Sequence, residues 1–165
     1  MEKNNISKNS PEITISIKNL HKSYGKKEVL KGLNLEVYAG ELFGFIGRNG
    51  IGKSTTIDCT IGSKKFNKGE IKINGFDIVN YPLEAKESFG YVASEPTCYE
   101  EMTGYEYLEF IASIYGLSEV NFNSNYKYLC QRLQLKLEEL SNPISDYSHG
   151  MKQKLCLAAS KLKLS

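Results

Sequence analysis

The sequence predicts an α/β fold, strand-rich in its first part and mainly helical in its second, and three observations carry that prediction. Before residue 97, apolar residues alternate at period two or run continuously through several short segments. From Thr103 onward they recur at helical spacing. Between them, a continuous apolar run at Leu42 to Ile46 enters a glycine-rich loop that opens onto a helical segment.

Taken in order, residues 1–10 are polar, with Pro11 behind them, and read as a flexible tail. Ile13 to Ile17 alternates apolar and polar positions as a half-buried strand does, and Leu33 to Val37 repeats the pattern. Gly40 and Glu41 turn the chain into Leu42 to Ile46, expected to be a strand buried on both faces. A helix is expected from about Lys53 to Ile61, a strand from Lys68 ending in a turn at Gly75, and another buried strand from Phe89 to Ala93. Thr103-Gly104-Tyr105-Glu106 has capping-box spacing, hydroxyl and carboxylate each satisfying an orphan amide at a helix start, with Leu108, Ile111, Ala112 and Tyr115 at helical spacing behind it. A second helix is expected over Asn125 to Leu133. A third starts near Ser148, with Met151, Leu155, Ala158, Ala159 and Leu162 on one face. The organisation is therefore a tail at 1–10, a strand-rich core over 11–97, a mainly helical part over 98–150 and a last helix within 151–165.

Composition narrows the class. The 165 residues suit one domain and are 41% hydrophobic and 24% charged, an ordinary globular balance. A formal charge of +2 gives no reason to expect nucleic acid as a partner. The four cysteines, at 59, 98, 130 and 156, lack the C-x-x-C spacing of a zinc or redox site and read as small buried thiols of a reducing cytosol. No stretch approaches the ~18 apolar residues of a spanning helix, so any link to a membrane runs through a partner.

Gly47-Arg48-Asn49-Gly50-Ile51-Gly52-Lys53-Ser54 fits G-x-x-x-x-G-K-[ST] at every fixed position. Glycines let successive backbone amides converge on phosphate oxygens, and the following helix adds its positive end. In this pattern Lys53 reaches the β- and γ-phosphates and the Ser54 hydroxyl binds Mg²⁺. The context agrees with the motif, since a strand-like run precedes it and a helical segment follows.

Further residues single out one phosphate-loop family. Leu20-His21-Lys22-Ser23-Tyr24-Gly25, Val29-Leu30-Lys31-Gly32-Leu33, Gly40-Glu41 and then Gly47 through Thr55 together resemble the opening of an ABC-transporter ATP-binding subunit. Tyr147-Ser148-His149-Gly150-Met151-Lys152-Gln153-Lys154 resembles that family's signature stretch, with His149 in place of the first of its paired glycines. The resemblance implies a P-loop NTPase fold of ABC type, a strand-rich ATP-binding core with a helical subdomain. It implies ATP and Mg²⁺ as cofactors, Tyr24 stacked on adenine, residues 47–55 on the phosphates, and Ser148, His149 and Gly150 facing the nucleotide of an opposite subunit. A Ser-capped helix without a ligand is the competing reading of the signature stretch. The implied partners are a transmembrane permease subunit and a second ATP-binding subunit, in a homodimer or heterodimer, at the cytoplasmic side of the membrane. Contact with the permease falls around Ser94 to Thr103. The segment through Met102 to Glu106 resembles bacterial exporters.

The chain departs from the family at two places. The family's glutamine before the helical insert is Ser94 here, with Glu95 beside it, and either oxygen is a candidate for Mg²⁺ or its water. No Asp-Glu pair occurs in the sequence, and neither His21 nor His149 stands in the order of the family's switch histidine. The resemblance therefore implies a member truncated after the signature helix, with its last core strands and catalytic residues missing. Such a chain binds ATP without useful turnover and exposes an apolar sheet edge. Two alternatives stand beside the transporter subunit: a non-hydrolysing nucleotide-binding regulator and an inert fragment.

Overall fold

The computed structural model describes residues 11–162, and the tail expected over residues 1–10 lies outside the described residues. The chain passes from one compact unit to a second between Ser88 and Phe89.

The first unit is built on a four-stranded antiparallel sheet of order β2-β1-β3-β4. Strands β1 (Ile13–Tyr24) and β2 (Lys27–Tyr38) form a long hairpin. Strand β3 (Lys68–Ile73) pairs with the other edge of β1, and the short β4 (Phe76–Asp77) closes the sheet. Along β1, Ile15 and Ile17 lie opposite Val37 and Leu35 on one side and opposite Ile73 and Ile71 on the other, a β-branched and aliphatic ladder of the kind that stabilises cross-strand pairs.

The alternation legible up to Ile17 does not continue unchanged. Ile17 and Leu20, three residues apart, are both fully buried, which strict period two forbids. The register shifts between them, with Asn19 at φ 48° and its amide donating to Asn34 Oδ1 at 2.9 Å. This irregularity returns Leu20 to the core face, as a bulge does. Ile17, Leu20 and Ile71 then pack with Leu30 and with Cys59 of helix α1 (Lys53–Thr60). Each large aliphatic group so buried contributes about 1.5–3 kcal/mol. A short helix α2 (Pro82–Glu87), opened by proline at its first position, ends this unit.

The second unit is helical: α3 (Gly104–Ile114), α4 (Glu119–Arg132) and α5 (His149–Leu162), with 3₁₀ turns at Leu137–Ser141 and Ile144–Asp146. The capping box at Thr103 is complete, Glu106 N donating to Thr103 Oγ1 at 3.2 Å and Thr103 N to Glu106 Oε2 at 2.8 Å. Helix α4 begins earlier than its sequence pattern indicates, capped by Ser118. Leu108, Ala112, Leu155, Ala158, Ala159 and Leu162 form the core with Phe122, Cys130 and Ile144. A Cβ at Gly104 would collide with the Tyr147 hydroxyl, so α3 starts on a residue without one. That hydroxyl donates to Glu139 O at 2.6 Å, and burial pushes its pKa up to about 12.

Two expected strands are absent. Leu42 to Ile46 and Phe89 to Ala93 have no ladder among the described residues. A strand of this composition is stable when neighbours pair with its edges and layers cover both faces. Neither condition is met at Leu42 to Ile46: Leu42 and Ile46 are 101% and 99% exposed, and Phe43 and Phe45 meet edge to face at 5.2 Å.

Candidate functional site

The glycine-rich loop of the first unit is pinned to the core at its last glycine. Gly52 caps α1 at φ 106°, in the left-handed region, and a Cβ there would stand 2.8 Å from Leu30 Cδ2 and 3.4 Å from Val29 Cγ1. Thr56 is the first residue to close a helical bond, its amide donating to Gly52 O at 2.8 Å, and its buried hydroxyl donates to the same carbonyl at 2.9 Å. The amides of Lys53, Ser54 and Thr55 are therefore the orphan donors of the first turn, at the positive end of the helix.

Lys53 turns back over the loop, its ammonium donating to Gly47 O at 2.5 Å and Arg48 O at 2.9 Å. Asn49, Gly50, Gly52, Lys53, Ser54 and Thr55 line one cavity of about 230 Å³ with Val29. Ile51 is 62% exposed at the loop tip, and Arg48 is exposed. The cavity thus presents helix-start amides, one ammonium and a hydroxyl, a donor set suited to a chain of phosphates.

Mg²⁺ fits this site as a shared ligand. Among the described residues no group of three or more His, Cys, Asp or Glu could hold a metal ion. Ser54 is exposed and offers one hard oxygen. Mg²⁺ keeps most of its waters and is commonly held by one or two protein oxygens together with substrate phosphates, which a single hydroxyl beside a phosphate cradle matches.

Tyr24 lies at the end of β1 and is 44% exposed. Lys22 Nζ sits 4.8 Å from the ring centroid and Lys64 Nζ 5.9 Å, both within cation–π distance. Lys64 is also paired with Asp58 at 2.8 Å, and the hydrogen bond it donates to the Asp58 carboxylate raises its pKa above the ordinary lysine value. Sequence reading missed both lysines. Lys22 was legible, two residues before Tyr24 on the same strand face; Lys64 comes from the segment after α1 and carried no signal.

The remaining predicted residues are in the second unit. Ser148 caps α5: its Oγ accepts from Met151 N at 3.2 Å and its carbonyl from Lys152 N at 2.9 Å. The bond to Met151 uses an acceptor lone pair and leaves the hydroxyl proton available to a ligand. His149 and Gly150 are exposed beside it. Ser94 and Glu95 are exposed, and Ser94 O accepts a long 3.4 Å bond from Gln153 Nε2 of α5.

A protein-family model for the ABC transporter matches residues 30–164. The linearmycin resistance ATP-binding protein LnrL of Bacillus subtilis (strain 168) is 32% identical over 146 residues, covering 88% of this chain and 47% of that protein. The ABC-type transporter ATP-binding protein EcsA of the same organism is 34% identical over 148 residues, 90% of this chain and 60% of that one. A solved structure of an ATP binding subunit of an ABC transporter superposes with a TM-score of 0.80 at 35% identity, covering 91% of this chain and 62% of that chain. The structure of cbiO1 from Clostridium perfringens, part of the ABC transporter complex cbiONQ, shares the fold at a TM-score of 0.82 and 23% identity. The chain spans about half the length of the curated relatives it matches.

Proposed function

This chain belongs to the ABC transporter family of ATP-binding proteins, and from that premise we propose that it binds Mg-ATP through the loop at residues 47–55 to serve a bacterial exporter. The observation that carries the reading is the phosphate cradle itself: helix-start amides, the Lys53 ammonium and the Ser54 hydroxyl around one cavity. On binding, Lys53 exchanges two neutral carbonyl partners for anionic β- and γ-phosphate oxygens, a stronger pairing. The Ser54 hydroxyl would hold the Mg²⁺ that accompanies the nucleotide, which would supply charge neutralisation at the phosphates. Tyr24 receives the adenine on its exposed ring face.

Ser148, His149 and Gly150 serve the nucleotide of a second ATP-binding subunit, through the Ser148 hydroxyl and the amides that open α5. Residues 94–103 contact a transmembrane permease subunit, which places the chain at the cytoplasmic face of the membrane. Among the described residues no helix is long and apolar enough to cross a membrane. The relative named for linearmycin resistance supports the exporter reading.

A polypeptide of these 165 residues contains no Asp-Glu pair, so phosphate release by it alone is expected to equal that of Lys53→Ala. A chain that binds nucleotide but has no permease partner would be the regulator; one that binds neither would be inert. The test is a titration with ATP, ADP and AMP in Mg²⁺. ATP and ADP should bind and AMP should bind at least tenfold more weakly, because the loop holds the distal phosphates. Equal affinity for all three contradicts the reading.

A further inference from the structure

Cys98 and Cys156 are 58 residues apart in sequence, yet their sulfurs lie 3.2 Å apart. Both are half-buried, whereas Cys59 and Cys130 are fully buried. Cys98 belongs to the segment that leads into α3 and Cys156 to the middle of α5, so the contact ties a loop to a helix within the second unit. Two further links join the same partners: the Lys152 ammonium to the Glu100 carboxylate, and Gln153 Nε2 to Ser94 O at 3.4 Å. Tyr107 is buried in the core cluster against which Cys98 packs.

We propose that Cys98 and Cys156 are a redox pair that small-molecule disulfides oxidise to an intramolecular disulfide, fastening the segment around residues 94–100 to α5. A covalent S–S bond is about 2.05 Å long, so closure requires about an ångström of approach by two side chains already in contact. The thiolate of one cysteine attacks a sulfur of the small disulfide and expels one small thiolate, forming a mixed disulfide. The thiolate of the second cysteine then attacks the protein sulfur of that mixed disulfide and expels the other small thiolate. Two protein thiols lose two electrons in total, the small disulfide gains them, and the two protons end on the released small thiols.

Burial sets the pace of this exchange. It pushes the Cys98 thiol up to about 12, while the Lys152 charge acts in the opposite sense. Cys98 is thereby kept protonated at neutral pH, which slows attack by its own sulfur. Fastening this loop would hold Ser94 against the helix that opens at Ser148; the bearing on transport rests on the function proposed above, whereas the thiol chemistry does not.

The experiment equilibrates the full chain in oxidised and reduced glutathione across a range of ratios. Free thiols are then alkylated and the protein is digested for mass mapping, beside a sample oxidised in denaturant. The expected result is loss of two of the four thiols, with the Cys98 and Cys156 peptides joined and Cys59 and Cys130 alkylated only after unfolding. Cys98→Ser should instead carry one glutathione on Cys156. The proposal is overturned if the four thiols stay free in excess oxidised glutathione, or if glutathione caps both cysteines without ring closure. It is equally overturned if the pairing matches that of the denatured sample. ATP affinity is not read, so failure here leaves the nucleotide site untouched.

Discussion

Lys53 and Gly52 act in opposite ways at one loop. Lys53 supplies charge, folded over the carbonyls of Gly47 and Arg48, while Gly52 supplies the absence of a side chain, at φ 106° with Leu30 Cδ2 2.8 Å from where a Cβ would stand. Gly52→Ala should therefore cost about 1–3 kcal/mol in strain and overpacking. A urea melt reads the stability loss, and ATP binding should fall with it. Tyr24→Ala should weaken ATP binding about tenfold, since an exposed stacking face is worth ~1–3 kcal/mol per base, while loss of the ring's contacts with Lys22 and Lys64 should cost about 1 kcal/mol of stability. An unchanged affinity would remove Tyr24 from the site. The loop was legible from sequence because its chemistry depends on fixed spacing. The lysines around Tyr24 were not all legible, since Lys64 arrives there through tertiary packing and an ion pair with Asp58.

Among the elements, α3 shows what a local motif can determine. Its capping box was readable because both partners lie within four residues, and both hydrogen bonds form. Thr103→Ala should lower stability by about 1 kcal/mol in a denaturant melt. The amide of Thr103 holds the Glu106 carboxyl below its ordinary pKa. A depressed carboxylate stabilises the fold above its unfolded pKa, and that contribution disappears as pH falls through the folded value. Glu106→Gln should thus be less stable than the wild type at neutral pH, and the difference should vanish in acid. A gap that persisted in acid would assign the effect to packing. Helix α4 was harder to read: its two fully buried residues, Phe122 and Cys130, are eight positions apart, too sparse to mark the start at Glu119. Leu155 is fully buried in the core of the second unit, and Leu155→Ala should cost about 2–5 kcal/mol.

For the whole molecule, the apolar run at Leu42 to Ile46 and that at Phe89 to Ala93 show the limit of sequence pattern. Continuous hydrophobicity reports that a segment can be buried, while a ladder depends on which strands stand beside it. Leu42 and Ile46 are almost completely exposed, and contiguous apolar surface of this kind promotes association. The 165-residue chain should self-associate in sedimentation velocity, and the double change Leu42→Lys, Ile46→Lys should shift it toward monomer. A wild-type chain that sediments as a single monomer would contradict this. The cysteine pair was equally invisible, because the contact crosses 58 residues and has no spacing signature. The central claim remains that the loop at residues 47–55 holds the phosphates of ATP, and calorimetric titration of Mg-ATP into the wild type and Lys53→Ala tests it most directly. Saturable binding to the wild type, weakened at least tenfold by the substitution while the melt is unchanged, is the predicted result; equal binding by both chains, or none by a folded wild type, would contradict it.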